Sequence, residues 1–147
     1  MAPLIHILLH IFLSNIPSLV SEAKNSELMN PFTEQELIDV IWSMESDKAP
    51  GPNGFPFHFY RVCWSVIRKY LPQMIKSFQV KAKVGGFTNS TFLALIPKEA
   101  NPSSFDRIRP ISLCNASYKI PSKLLANRLK PLLEKLISPL QGGFVKG

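Results

Sequence analysis

Prolines limit what this chain can fold into more than any other feature of its sequence. There are 13 of them among 147 residues, spread along the whole length. Each proline removes a backbone N–H donor and fixes φ, so long uninterrupted helices are disfavoured. The spacing therefore predicts short elements and argues against a helix bundle.

The distribution of charge is the second constraint. Residues 1–47 hold one base (Lys24) and seven acids, whereas residues 48–147 hold sixteen bases and three acids. The second segment thus has a net charge of +13, which favours an anionic partner because binding releases counterions. We expect RNA or DNA as the partner. A basic surface that serves only solubility is the alternative.

Metal, disulfide and membrane chemistry are not expected. Cys63 and Cys114 have neither disulfide-framework nor zinc-site spacing, and His6 and His10 lie one helical turn apart without a further ligand. The apolar run at residues 4–13 is too short to span a bilayer, and no Lys or Arg precedes it. A cytoplasmic or nuclear location is expected, and a cleaved signal peptide over residues 1–20 is the weaker alternative.

Local signals predict three helices in the first half of the chain. Thr33 and Glu36 can form a capping box, which predicts a helix over about 33–45. The turn KAPGPNG at 48–54 must end that helix, and it lacks the G-K-[ST] ending of a phosphate loop, so we interpret it as structural. Further helices are predicted over about 56–71 and from Pro72 to about 82. The apolar faces predicted for the three helices are Leu37, Ile38, Ile41, Trp42 and Met44; Phe59, Val62, Cys63, Val66 and Ile67; and Met74, Ile75 and Phe78.

A change of periodicity then predicts a strand pair. Residues 90–98 (STFLALIPK) form a short apolar strand stopped by Pro97, and residues 109–114 (RPISLC) form a second, antiparallel strand. A basic helical stretch follows over about 116–137, and Pro121 and Pro131 are expected to kink or divide it. Its predicted apolar side is Leu124, Leu125, Leu129, Leu132, Leu133 and Leu136. The expected organisation is an apolar lead-in over 1–32 and one α+β domain over 33–147, helical over 33–83, with a hairpin at about 90–114.

The order of these blocks resembles a known family. The segments at 31–60 (PFTEQELIDVIWSMESDKAPGPNGFPFHFY), 90–98 and 107–145 (RIRPISLCNASYKIPSKLLANRLKPLLEKLISPLQGGFV) are similar to the opening blocks of reverse transcriptases from plant-like non-LTR (LINE-type) retrotransposons. The resemblance covers about residues 16–147. It implies a partial right-hand polymerase, made of the amino-terminal extension and fingers without the palm. Asn53, Pro121 and the Gly142-Gly143 pair depart from the family pattern, as in a decaying element.

The resemblance also implies a set of site residues. Lys98 and Arg109 are expected to contact a nucleotide triphosphate, since the fingers hairpin of the family closes over the incoming nucleotide. Gln141 and Phe144 match a block near the nucleotide and template. The basic helix is expected to contact a nucleic-acid backbone through Lys119, Lys123, Arg128 and Lys130.

No catalytic residue is expected in this chain. Polymerase chemistry needs two divalent metals held by carboxylates, and the family binds Mg²⁺ through palm aspartates that follow the last block here. The aspartates of this sequence are Asp39, Asp47 and Asp106, and none belongs to a pair or an apolar strand. We therefore expect no cofactor in this chain and no polymerase activity from it alone.

Several alternatives remain open at the level of sequence. A small repurposed basic protein that binds RNA or DNA would also show salt-sensitive binding, but it should be monomeric and cooperatively folded, whereas a truncated domain should aggregate. A secreted protein would require translocation of residues 1–20. A partner that supplies the palm in trans is conceivable, with nothing in the sequence to support it.

Overall fold

The computed structural model of the protein describes residues 19–82, 85–86 and 88–137. Their elements, in chain order, are α1 (Glu22–Met29), α2 (Glu34–Ser43), α3 (Phe57–Val62), α4 (Trp64–Ile67), α5 (Leu71–Lys81), β1 (Thr91–Pro97), a 3₁₀ turn (Phe105–Arg107), β2 (Ile108–Cys114) and α6 (Ala116–Leu136). The fold is therefore mixed, with helices and one antiparallel strand pair. None of the helices described is long and apolar enough to cross a membrane.

The chain divides into two compact units. One is Pro31–Asn127, and the other takes in Met1–Asn30 with Arg128–Gly147. In the second unit, the Arg128 guanidinium donates hydrogen bonds to the carbonyls of Leu28 and Asn30, at the end of α1. These bonds satisfy carbonyls that a helix terminus leaves without partners.

The core of unit Pro31–Asn127 is built by four helices. Its buried side chains come from α2, α3, α5 and the first part of α6, and the hairpin contributes none of them. Leu37 and Ile41 recur at helical spacing in α2, as do Ala116, Ile120 and Leu124 in α6. The remaining members of the core are Val40, Phe57, Tyr60, Leu71 and Ile75.

Side-chain hydrogen bonds cap both ends of α2. The predicted capping box is confirmed: the Thr33 hydroxyl accepts from Glu36 N at 3.2 Å, and the Glu36 carboxylate accepts from Thr33 N at 2.8 Å. At the other end, the Arg61 guanidinium donates to the carbonyls of Ile41, Trp42 and Met44. Arg61 thereby fixes α3 against the end of α2.

The turn at 48–54 is held against the start of α6. Gly54 N donates to Gly51 O at 3.0 Å, and Gly54 has a φ of +74°, which glycine adopts without strain. Asn115 is buried, and its side-chain oxygen accepts from Asn53 N at 3.0 Å. Gly51 lies so close that a Cβ there would be 2.4 Å from Asn115 N. This geometry agrees with a structural role for the turn. Gly51 allows the turn to approach Asn115 closely.

The hairpin follows the predicted pattern. β1 and β2 pair antiparallel, from Thr91 opposite Cys114 to Pro97 opposite Ile108. One further bond, from Lys98 N to Arg107 O at 2.8 Å, extends the pairing past Pro97. Large apolar side chains remain exposed on both faces of this sheet, namely Phe92, Leu93, Leu95, Ile96 and Ile111.

Two helix predictions were wrong. The helix expected over 56–71 is two helices, α3 and α4, that meet at Cys63, so its apolar face is not the predicted one. Phe57 and Tyr60 are buried, whereas Val62 and Val66 are 67% and 60% exposed. The backbone of Cys63, with φ −90° and ψ 17°, interrupts the helical ladder and turns α4 out of phase with α3.

The last helix was expected to kink or divide at Pro121 and Pro131. Division was wrong, because α6 runs unbroken through both prolines, and a kink there stays a prediction. A proline in a helix interior removes its own N–H from the ladder and its ring crowds the carbonyl four residues earlier, but Ile120 and Leu124 on either side of Pro121 are buried in the core. Packing therefore holds the helix across the missing bond. Of the leucines predicted to be apolar-facing, only Leu124 and Leu132 are buried; Leu125, Leu129, Leu133 and Leu136 are exposed.

Candidate nucleotide-phosphate and nucleic-acid site

Lys98 and Arg109 both lie at the loop end of the hairpin. Directly opposite residues in an antiparallel pair point to the same face, and side chains alternate along each strand. Arg109 lies opposite Ile96, and Lys98 follows Ile96 by two positions with its N–H bonded to Arg107 O. Lys98, just past the end of β1, and Arg109, the second residue of β2, therefore both lie at the loop end of the hairpin, near the 3₁₀ turn.

One arginine pairs with both acids of this loop. The Arg107 guanidinium lies 3.4 Å from the Asp106 carboxylate and 3.8 Å from that of Glu99. The Arg109 side chain forms no ion pair or hydrogen bond among residues 19–82, 85–86 and 88–137. Lys98 Nζ donates to the carbonyl of Asp106, which occupies one of its three N–H donors. Lys98 and Arg109 thus retain charge for an anionic ligand.

The four cations predicted on the basic helix belong to two different units. Lys119 and Lys123 lie one helical turn apart in α6, on the same side. Lys119 also lines a cavity of about 240 Å³ together with Lys48, Ser43 and Phe57. Arg128 and Lys130 belong to the other unit, and there the Arg128 guanidinium is engaged by backbone carbonyls.

Sequence reasoning missed three residues near these positions. Arg107 lies in the 3₁₀ turn just before β2, and nothing in the sequence predicts that it pairs with both Glu99 and Asp106. Lys48 belongs to a turn interpreted as structural, and nothing in the sequence places it beside Lys119. Phe105 gave no signal, since an isolated aromatic residue in a loop carries no pattern.

Tyr60 joins the turn, the core and α6. Burial raises the pKa of Tyr60 above its usual value of 10.0, while hydrogen bonds with Ser117 and Asn53 act in the opposite direction. This hydroxyl is a structural hydrogen-bonding group that is neutral at physiological pH. Its contacts tie the residue before Gly54 to the first turn of α6.

Metal ligands do not cluster in the part of the chain that is described, where no three His, Cys, Asp or Glu side chains come together. Gln141 and Phe144 lie outside the described residues, as do His6, His10 and the apolar run at the amino terminus. The roles predicted for Gln141 and Phe144 stay predictions.

The chain is similar to a transposon protein. It is 29% identical over 128 residues to the Transposon TX1 uncharacterized 149 kDa protein of Xenopus laevis. The match covers 87% of this chain and 10% of the relative, so the chain spans about a tenth of that protein's length. The match leaves 19 of the 147 residues outside it. The hairpin lies more than 19 residues from either end of the chain, so the match includes it. No protein-family model matches the chain.

Proposed function

We propose that this chain is a fingers-type fragment of a non-LTR retrotransposon reverse transcriptase, which binds nucleotide phosphates at the loop end of its hairpin. The observation that carries the proposal is the position of Lys98 and Arg109 at the loop end of the hairpin, where Arg107 pairs with the acids Glu99 and Asp106. Similarity to a transposon protein across the hairpin supports the retrotransposon origin. The motif order supports the reverse-transcriptase assignment.

The chemistry of the two cations suits a polyphosphate. A guanidinium can donate two parallel hydrogen bonds to phosphate oxygens, whereas an ammonium acts as a compact point charge. Arg109 is carried by β2, and Lys98 follows the end of β1 with its backbone N–H bonded to Arg107 O, so the strand pair holds the backbone of both cations. In this proposal Arg109 orients the phosphate chain and Lys98 balances its charge.

A second contact of the same proposal is a nucleic-acid backbone along α6. Lys119 and Lys123 are the proposed phosphate contacts, since they share one side of the helix. Asp39 lies in α2 and Asp106 in the 3₁₀ turn, so neither forms a carboxylate pair on a strand. We propose binding for this chain; in the family that it resembles, Mg²⁺-dependent transfer belongs to the palm.

A salt series tests the proposal. Binding of purified protein to labelled single-stranded RNA is measured from about 50 to 200 mM salt. Removal of one phosphate-binding cation should reduce the slope of log K against log salt by about 0.7. We expect Lys98→Ala/Arg109→Ala and Lys119→Ala/Lys123→Ala each to weaken binding and flatten that slope.

The matched control is Lys69→Ala/Lys76→Ala, which removes the same two charges from exposed positions away from the hairpin. If all three double variants bind alike, the attraction comes from net charge and the assigned residues have no special role. If the wild-type protein does not bind RNA as a monodisperse species, the proposal is wrong.

A further inference from the structure

Phe105 is the most exposed of the large hydrophobic residues described, with 88% of its surface accessible. It opens the 3₁₀ turn in the loop between β1 and β2. Other exposed apolar residues of the hairpin lie on its strands, where sheet geometry places them. Phe105 is instead presented from a loop, close to the cations Lys98 and Arg109.

One of the two cations, Lys98, contacts the residue that follows this ring. Lys98 Nζ donates to the carbonyl of Asp106, the residue that follows Phe105, and Arg107 N donates to Ser104 O at 3.1 Å. These two contacts close the turn around Phe105 and hold it near Lys98. A shallow cavity of about 410 Å³ lies against the ring, within the size range of small-molecule sites. It is lined by Pro102, Ser103, Ser104, Phe105 and Ile108.

An exposed aromatic ring beside fixed cations matches the chemistry of single-stranded nucleic acid. Such strands bind where cations follow the phosphates and aromatic side chains stack on bases. Double-stranded nucleic acid offers no free base face to a ring at a loop tip. The charge on Lys98 and Arg109 selects an anion, and the ring selects one that carries a planar base.

We propose that Phe105 is a base-stacking residue, on which one base of a single-stranded nucleic acid packs while the neighbouring phosphates contact Lys98 and Arg109. The inference rests on the proposed function for the two cations and adds the class of ligand. An inorganic polyphosphate would use the cations alone. A nucleic-acid strand would use the cations and the ring.

The test compares two ligands on single variants. Labelled single-stranded RNA is titrated by fluorescence anisotropy, and inorganic triphosphate is used as a competitor. Phe105→Leu should weaken RNA binding about fivefold to a hundredfold, the range of stacking contributions, and leave the affinity for inorganic triphosphate unchanged. Phe105→Trp should retain RNA binding, and its added fluorescence should change on RNA addition beyond the response of the wild type.

Phe92→Leu is the matched control, because it makes the same change in the same hairpin. Phe92 lies opposite Leu113, five residues before Pro97, which places it roughly 17 Å from the loop end. We expect Phe92→Leu to bind RNA as the wild type does. Circular dichroism should show both Leu variants folded, since neither side chain belongs to the core.

The outcomes separate this inference from the proposal on which it rests. If Lys98→Ala/Arg109→Ala loses RNA binding and Phe105→Leu does not, stacking is overturned and the phosphate site stands. If Phe105→Leu weakens inorganic triphosphate as much as RNA, the ring only supports the loop, and stacking is again overturned. If the wild type is a dimer and Phe105→Leu is a monomer, the ring contacts a second copy of the chain. That result would also overturn stacking. No binding by the wild type would refute both.

Discussion

Replacing Gly51 with alanine tests how the turn at 48–54 is held against α6. A Cβ at this position would lie 2.4 Å from Asn115 N, 2.5 Å from Cys114 C and 2.6 Å from the Asn115 side-chain oxygen. Two of these three atoms are backbone, so no side-chain rotation can relieve the contact. The turn and the start of α6 must move apart.

The expected destabilisation has two parts. Overpacking a close contact costs about 1–3 kcal/mol. Separation also weakens the bond from Asn53 N to the buried Asn115 oxygen, and a buried polar group without its partner costs about 1–3 kcal/mol. We therefore expect Gly51→Ala to lower the free energy of unfolding by about 2–5 kcal/mol, against about 5–15 kcal/mol for a typical domain.

Urea denaturation followed by circular dichroism measures this destabilisation, and two other glycines are matched controls. Gly86 has open space around it and no positive φ, so Gly86→Ala should change stability by less than about 1 kcal/mol. Gly54 also has open space but a φ of +74°, and Gly54→Ala should lower stability by about 1–2 kcal/mol. If Gly51→Ala is as stable as Gly86→Ala, the close approach is not a constraint and the reasoning is refuted.

Three further predictions concern the helices and the core. Thr33→Ala removes the capping box of α2 and should cost about 1 kcal/mol in thermal or urea unfolding, whereas Thr33→Ser should cost less. Ala82 ends α5 with a φ of 49°, so Ala82→Gly should raise the free energy of unfolding by about 0.4–1 kcal/mol; a decrease would contradict the assigned backbone. Because the folded pKa of Tyr60 is raised, the unfolded state releases this proton first, and stability should fall as pH rises above 10.0. Subtracting the pH profile of Tyr60→Phe isolates this contribution, and parallel profiles would show that it is absent.

Local signals in the sequence were sufficient for the elements that depend on neighbouring residues. The Thr33–Glu36 capping box, the stop at Pro97 and the antiparallel strand pair follow from spacing and residue type alone. The approach of Lys98 to Arg109 also follows, because a hairpin brings the end of one strand to the start of the next. These features involve residues close in sequence or related by simple strand geometry.

Tertiary packing decided the features that the sequence did not reveal. Cys63 interrupts the second predicted helix without any proline or glycine, and α6 continues through Pro121 because its neighbours are buried. The contact of Gly51 with Asn115 joins residues 64 positions apart, which no local pattern encodes. The side-chain oxygen of Asn53 accepts from Phe55 N at 3.1 Å, a bond within the turn.

The central claim is that Lys98 and Arg109 form a phosphate site, and a direct titration tests it. A fluorescent nucleoside triphosphate is titrated into the wild type, Lys98→Ala/Arg109→Ala and the charge-matched Lys69→Ala/Lys76→Ala. Removal of two charge-assisted hydrogen bonds should raise the Kd of the hairpin variant about tenfold or more, and the control should bind as the wild type does. Equal Kd values for the two double variants would contradict the claim.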